Sequence, residues 1–277
     1  MPCVLKASIT AIKNATDDEE KQLLILRRAL RAFSETSWDT VPLKLHKIIR
    51  EIIKEETGVD DPYRALKKKY NEKALSLYPE MKKIISESDD SLKTSAKLAA
   101  LGNTVDFGVY SGAELEKLIE SVKRLEFSVN DYDRFRRRLE NSETLLYFLD
   151  NSGEIVFDKV FLETMIEERG KPFEGLTIVC KSSPVLNDAT LEDVKETGLD
   201  ELPNVELKTV DIELKPPKGE SVENWVAAHD LTILKGQANL EGFIDLHGVF
   251  FLLVAKCDRI AKVLSAELGG LVLKYNP

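Results

Sequence analysis

From Ser142 onward the chain alternates between two hydrophobic periods, and no other feature limits the fold as much. Strand-like runs at Leu145–Leu149, Leu176–Cys180, Val205–Val210, Leu231–Leu234, Val249–Ala255 and Leu271–Tyr275 are separated by helical stretches near Glu154–Arg169, Thr190–Thr197, Ser221–His229 and Cys257–Leu268. Runs this short suit buried strands, and helices between them make the strands parallel through right-handed crossovers. The pattern predicts an α/β fold: a three-layer α/β/α core whose mostly parallel sheet is covered on both faces.

Residues 1–141 read as helical almost throughout, a region expected to pack as a cap on the core at 142–277. Thr16-Asp17-Asp18-Glu19 has the spacing of a capping box, and so does Ser111-Gly112-Ala113-Glu114. Pro42 suits a first helical turn, and Asp61-Pro62 reads as cap plus first turn of another helix, with a break near Tyr78-Pro79. The run Lys67-Lys68-Lys69 is flanked by acids and reads as a solvated face rather than a phosphate grip. The arginines of Asp131–Glu140 read as a charged outer face.

The charge balance excludes some functions. Lys and Arg number 39 against 48 Asp and Glu, a net charge of −9, which disfavours general nucleic-acid or anionic-membrane binding. No apolar run approaches a membrane span, and the first residues lack a signal-peptide core, so a cytoplasmic protein is expected. Cys3, Cys180 and Cys257 make no disulfide framework, and Cys180 and Cys257 are expected in the core. His46, His229 and His247 show no zinc-ligand spacing.

Parallel strands bring their carboxyl ends to one rim, where open α/β sheets bind ligands. Asp150 and Asn151 follow the first strand; Lys181, Ser182, Ser183, Asn187 and Asp188 follow the second; Lys235, Gly236, Gln237 and Asn239 follow the fourth. Carboxylate and amide oxygens suit Mg²⁺ or Mn²⁺, and lysines suit a phosphate. Helix N-termini near Glu154 and Asp188 are expected to add N–H donors for an anion. Glu154 and Asp158 share a helix face, where Asp158 is placed to orient a metal-bound water or a lysine. The turn after the first strand has one glycine where a dinucleotide fold needs GxGxxG, and no Walker A or GxSxG segment occurs.

Asp150-Asn151-Ser152-Gly153-Glu154-Ile155-Val156-Phe157-Asp158 resembles the Asp-Asn-Ala-Gly-Glu-x-x-x-Asp motif of the metal-dependent damage-control phosphatases, formerly a domain of unknown function. Pro184–Thr190 resembles the family's Pro-x-x-Asn-Asp-x-Thr segment, Lys235–Asn239 its Lys-Gly-x-x-Asn, and Gly102–Gly108 its Gly-Asn-x-x-Asp-x-Gly turn. Two departures stand out. The stand-alone branch starts with Cys-x-x-Cys, but Lys6 replaces the partner of Cys3, and Ser182-Ser183 replaces Gly-Gly.

The resemblance implies a phosphomonoester hydrolase for small phosphorylated metabolites, either sugar phosphates or damaged and surplus intermediates. It implies one divalent ion (Mg, Mn, Co or Ni) on Asp150, Asn151 and Asp188, with Lys235 facing the phosphate. Asp150 and Asp158 join Lys235 as catalytic candidates; Asn103, Ser182, Asn239 and Glu154 are candidate substrate contacts. Two alternatives are S-adenosylmethionine-dependent carboxyl methylation and a non-catalytic helical interaction module.

Overall fold

The computed structural model describes residues 2–37, 42–104 and 112–277. Seven strands form one sheet: β1 (Phe127–Asn130), β2 (Thr144–Phe148), β3 (Gly175–Lys181), β4 (Val205–Val210), β5 (Leu231–Lys235), β6 (Val249–Val254) and β7 (Leu271–Asn276). Their order is β1-β7-β6-β5-β2-β3-β4. The five strands from β6 to β4 are mutually parallel, β7 runs antiparallel to β6, and β1 follows β7. The chain winds outward from β2 in one direction through β3 and β4, and in the other through β5 and β6. The β2/β5 boundary is therefore the switch point, where a crevice opens at the carboxyl ends.

Alternation along each strand divides the sheet's side chains between two cores. Leu145, Tyr147, Ile178, Ile233 and Leu252 face α5 (Ser91–Gly102), α7 (Tyr132–Glu140) and α8 (Glu154–Arg169), in a cluster that includes Leu92, Phe135 and Phe161. Leu146, Phe148, Val179, Leu234 and Phe251 face α10 (Val222–Ala227), α11 (Gly236–Phe243) and α12 (Asp258–Leu264), through Trp225, Leu240 and Ile260. This is the expected three-layer arrangement. Each fully buried Leu or Phe contributes about 1.5–3 kcal/mol.

Outside the sandwich, α4 (Arg64–Ser86) and α6 (Gly112–Ser121) build a third cluster on α5 and α8, with Met81, Leu98, Ile119 and Phe157. The helices α1 (Pro2–Ala15), α2 (Glu19–Ser34) and α3 (Pro42–Thr57) have a core of their own, containing Ile25, Phe33, Ile49 and Ile53. The expected division at 141/142 does not follow this packing: β1, α5 and α7 precede it and belong to the sandwich. The four-residue β1 lacked a sequence signal because only Phe127 is buried in it. The sequence reading also missed α11, which opens directly on the end of β5.

Local expectations fare unevenly. The cap of α2 is Asp18, which accepts from the N–H groups of Glu20 and Lys21, while Thr16 Oγ1 accepts from Asp18 N. Asp61 does not cap α4, which starts at Arg64, and α4 passes unbroken through Pro79. The Ser111 capping box starts outside the described residues. Lys67 is not on a solvated face: it is 1% exposed and paired with Asp61 at 2.9 Å and Asp193 at 3.2 Å, whereas Lys68 and Lys69 are exposed. Cys180 is buried as expected, but Cys257 is exposed at the start of α12. Among the described residues no helix is long and apolar enough to cross a membrane.

Candidate active site

Two segments that are far apart in sequence lie side by side at the switch point. Asp150-Asn151-Ser152-Gly153 leaves β2 and enters α8; Asn187-Asp188-Ala189-Thr190 joins β3 to α9 (Leu191–Thr197). An isolated antiparallel bridge pairs Asn151 with Asp188. Ser152 N donates to Asn187 O at 2.9 Å, and Ala189 N to Asp150 O at 2.8 Å. These backbone bonds fix Asp150, Asn151 and Asp188 in one place, on a scaffold rather than a free loop.

The side chains are held as firmly. Asn103, at the end of α5, donates from Nδ2 to Asp150 Oδ2 at 2.7 Å and to Glu154 Oε2 at 2.8 Å. Asn151 Nδ2 donates to the same two oxygens, at 2.7 and 3.1 Å. Gly236 enforces the approach from β5: a Cβ there would lie 1.9 Å from Asp150 Oδ2, and its φ is +78°. Only glycine fits that combination.

Beneath these groups lies a buried ionic layer. Lys235 is fully buried and its ammonium donates to Ala99 O at 2.8 Å, Glu154 Oε1 at 2.8 Å and Asp158 Oδ1 at 2.5 Å. Tyr147 Oη donates to the same Asp158 oxygen at 2.8 Å. All three donors of Lys235 are therefore taken by protein, so it does not face a phosphate as expected. Asp158 is completely buried and orients a lysine, not a water exposed to substrate. Glu154, 1% exposed, holds Lys235 and the two amides rather than a ligand. Asn239 spends its amide on Leu149 O at 3.0 Å and Lys235 O at 2.7 Å. Asn103 grips carboxylates with its N–H groups, and its buried Oδ1 has no partner.

The α8 N-terminus is also occupied, since Gly153 N donates to Asn71 Oδ1 at 2.7 Å. The second expected N-terminus is displaced: α9 starts at Leu191, capped by the Thr190–Asp193 box. Of the expected substrate contacts, Ser182 alone is exposed, at the end of β3. Asp106 and most of the Gly102–Gly108 turn lie outside the described residues, as does the Cys3 side chain.

Two other lysines carry the site's unspent positive charge. Lys181, at the end of β3, is 6% exposed; its ammonium has no hydrogen-bond partner and lies 3.8 Å from Asp188 Oδ2. Lys256, two residues past β6, is exposed and makes no ion pair among the described residues. The sequence reading omitted Lys256. The rim argument that selected Asp150 and Lys235 applies equally to the end of β6.

Burial pushes the Asp150 carboxyl up to about 8; Glu154 and Asp188 add to the effect, and Lys256 opposes it. Burial likewise raises Asp188 to about 6, against the pull of Lys181 and Lys67. Asp158 rises to about 7 through burial, with Lys235 opposing. In Glu154, burial is outweighed by Lys235 and Lys256, so its carboxyl lies below the usual range.

The carboxyls of Asp150, Asp158 and Asp188 are raised above their unfolded values near 4, so between about pH 4 and pH 8 this cluster binds more protons folded than unfolded, while His46, lowered by burial, works the other way. Metal-free protein is thus expected to lose thermal stability as pH rises through that window. Added Mn²⁺ is expected to raise Tm more at pH 8 than at pH 5.5, because it requires ionised ligands. Calorimetric scans at the two pH values check this; a metal-free Tm that climbs with pH contradicts it.

The donor set fits a hard cation. Among the described residues no three His, Cys, Asp or Glu side chains form a metal-binding group. Asp150 and Asp188 would supply carboxylate oxygens and Asn151 an amide oxygen. No hydrogen bond from the described residues reaches the Asp188 carboxylate. When ionised, the four buried carboxyls Asp150, Glu154, Asp158 and Asp188 outnumber the buried lysines Lys235 and Lys181 by two, which matches an ion of charge two.

A family model described as the damage-control phosphatase ARMT1-like domain matches residues 1–272. An uncharacterised protein of Methanocaldococcus jannaschii is 32% identical over 286 residues, covering 98% of this chain and 92% of that one. Proteins named damage-control phosphatase from Archaeoglobus fulgidus and Pyrococcus horikoshii are each 30% identical; the alignments cover 98% and 100% of this chain and 96% of each relative. The crystal structure of a DUF89 family protein from Pyrococcus horikoshii superposes with a TM-score of 0.84 at 28% identity, covering 100% of this chain and 97% of that one.

Proposed function

We propose, for a chain that belongs to the damage-control phosphatase ARMT1-like family, that phosphomonoester hydrolysis takes place at the crevice between β2 and β5. The protein is a metal-dependent phosphatase, and Asp150, Asn151 and Asp188 are the residues that would hold its cation, with Mn²⁺ or Mg²⁺ the ions that suit the oxygen set. The antiparallel pairing of Asn151 with Asp188 carries this reading, because it joins the two ligand segments in the backbone itself. When bound, a divalent ion neutralises phosphoryl charge as the ester bond breaks.

The chain's own residues divide the remaining work. Asn103 and Asn151 pin one oxygen of Asp150, which leaves its other oxygen to the cation. Glu154 orients both amides, and Lys235 and Asp158 orient Glu154 from below. Lys256 and Lys181 supply positive charge to the phosphoryl oxygens, and Ser182 a hydroxyl. The substrate is a small phosphorylated metabolite, a reading in keeping with relatives named damage-control phosphatase. Neither alternative gains support from these matches. The methyltransferase reading also meets the Asp150-Asn151 carboxylate site where a cofactor loop would be needed.

The two lysine roles are separable. Lys256→Ala is expected to lower kcat/KM for an aryl phosphate by about 10²-fold at unchanged Tm, since it removes a charge-stabilising donor from solvent-accessible ground. Lys235→Met is expected to destabilise the fold by about 3–5 kcal/mol, since it leaves Glu154 and Asp158 buried without their cation. Turnover and thermal melts on both variants check the assignment; equal Tm losses in the two, or unchanged turnover in Lys256→Ala, count against it.

A further inference from the structure

We propose that Asn71 is a positioning residue: its amide, from α4, clamps the two ligand segments at the spacing one cation requires. This rests on the reading of Asp150, Asn151 and Asp188 as the ligands. Asn71 is 1% exposed. Its Oδ1 accepts from Gly153 N at 2.7 Å, two residues after Asn151. Its Nδ2 donates to Asp193 Oδ1 at 3.0 Å and to Glu196 Oε2 at 3.2 Å. The other Asp193 oxygen accepts from Thr190 N at 2.9 Å, Thr190 Oγ1 at 2.7 Å and Lys67 Nζ at 3.2 Å, and Thr190 lies two residues after Asp188. One planar amide thus touches the first segment directly and the second through a single carboxylate. Both ends of the bridge are buried, so water does not readily replace it.

The Asp188 segment is also held on its other side. Leu186 adopts φ +47° and packs against the core of α1–α3, beside Ile49 and Tyr63. A left-handed leucine persists only where its surroundings impose it. The segment is therefore fixed before Asp188 by the α1–α3 core and after it by the α4 network. Its position is set by the helical region rather than by the sheet alone. A residue that only ties α4 to α8 would matter for stability; a clamp matters for how tightly the cation is held.

The test compares metal-stripped full-length wild type, Asn71→Leu and Tyr78→Phe by calorimetric titration with MnCl₂ and by thermal melts. Tyr78 is the control, because its hydroxyl joins α4 to α8 through Glu163 at 2.5 Å, away from the ligand segments. Asn71→Leu is expected to weaken Mn²⁺ binding by about 10-fold or more and to regain its kcat at saturating Mn²⁺, while Tyr78→Phe stays within about twofold of wild type. The electron paramagnetic resonance spectrum of bound Mn²⁺ is expected to change in the first variant and not in the second. Wild-type affinity and an unchanged spectrum in Asn71→Leu overturn the clamp. If that variant does not fold, Asn71→Ser is read by the same criteria. Wild-type protein that binds no Mn²⁺ removes the ligand assignment, and the clamp with it.

Discussion

Asp188→Ala is expected to keep its fold and lose roughly 10³-fold in metal-dependent turnover of an aryl phosphate, because the several kcal/mol a bound cation contributes translate at about 1.36 kcal/mol per factor of ten. The fold survives because Asp188 supports it through its backbone. Its N–H donates to Val185 O, and its neighbours Asn187 and Ala189 carry the bonds to Ser152 and Asp150. The carboxylate receives no hydrogen bond from the described residues, so the cost of removing it is confined to its ion pair with the buried ammonium of Lys181. Against that cost it relieves Asp150, 8% exposed, whose carboxyl burial and nearby Glu154 and Asp188 hold up to about 8. Metal-free Asp188→Ala is therefore expected to melt near the wild-type temperature and to gain nothing from Mn²⁺. Circular dichroism melts with and without Mn²⁺, beside steady-state turnover, separate this from simple unfolding. Wild-type turnover in a folded variant would refute the site.

Gly236→Ala is expected to be nearly as severe, through geometry rather than charge. The added methyl would meet Asp150 Oδ2 at 1.9 Å, Cγ at 2.2 Å and Cβ at 2.9 Å, so rotating the carboxylate away does not clear the contact. Asp150 is also held by Asn103 and Asn151, and its carbonyl by Ala189. The left-handed backbone at φ +78° adds about 1–2 kcal/mol for any residue with a Cβ. The expected outcome is turnover reduced to near background and a Tm lowered by several degrees. Gly219→Ala serves as control: its φ is +94°, but a Cβ there has nothing within 4 Å. If strain alone decided the effect, the two variants would lose the same activity. Retained activity in Gly236→Ala would show that Asp150 does not need its observed position.

The two substitutions also mark what the sequence alone could convey. The strands from β2 to β7 are legible because their side chains are buried on alternate or both faces, as in Leu145–Phe148 and Val249–Val254. β1 is not legible, since its place at the sheet edge comes from pairing with β7, a partner far along the chain. The rim argument brought Asp150, Asn151, Asp188, Lys181 and Lys235 to one end of the sheet, because parallel strands share a direction. It could not decide which lysine faces outward. Lys235 is a strand's last residue and points into the layer beneath, whereas Lys256 lies past its strand's end and is exposed. The same limit applies to Asn239 and Glu154, whose positions are at the rim but whose polar groups are spent on Leu149, Lys235 and the two amides. Lys67 and Asn71 were out of reach for another reason. Four apart on α4, they look like any polar face until the fold sets Asp193 and Gly153 against them.

The most direct measurement is anomalous diffraction from crystals of the full-length protein grown with MnCl₂, recorded above and below the manganese edge. One anomalous peak is expected per chain, within bonding distance of the Asp150 and Asp188 carboxylates and the Asn151 amide oxygen, with Lys235 still bound to Glu154 and Asp158. A peak elsewhere, or none in crystals that otherwise match this fold, would contradict the account.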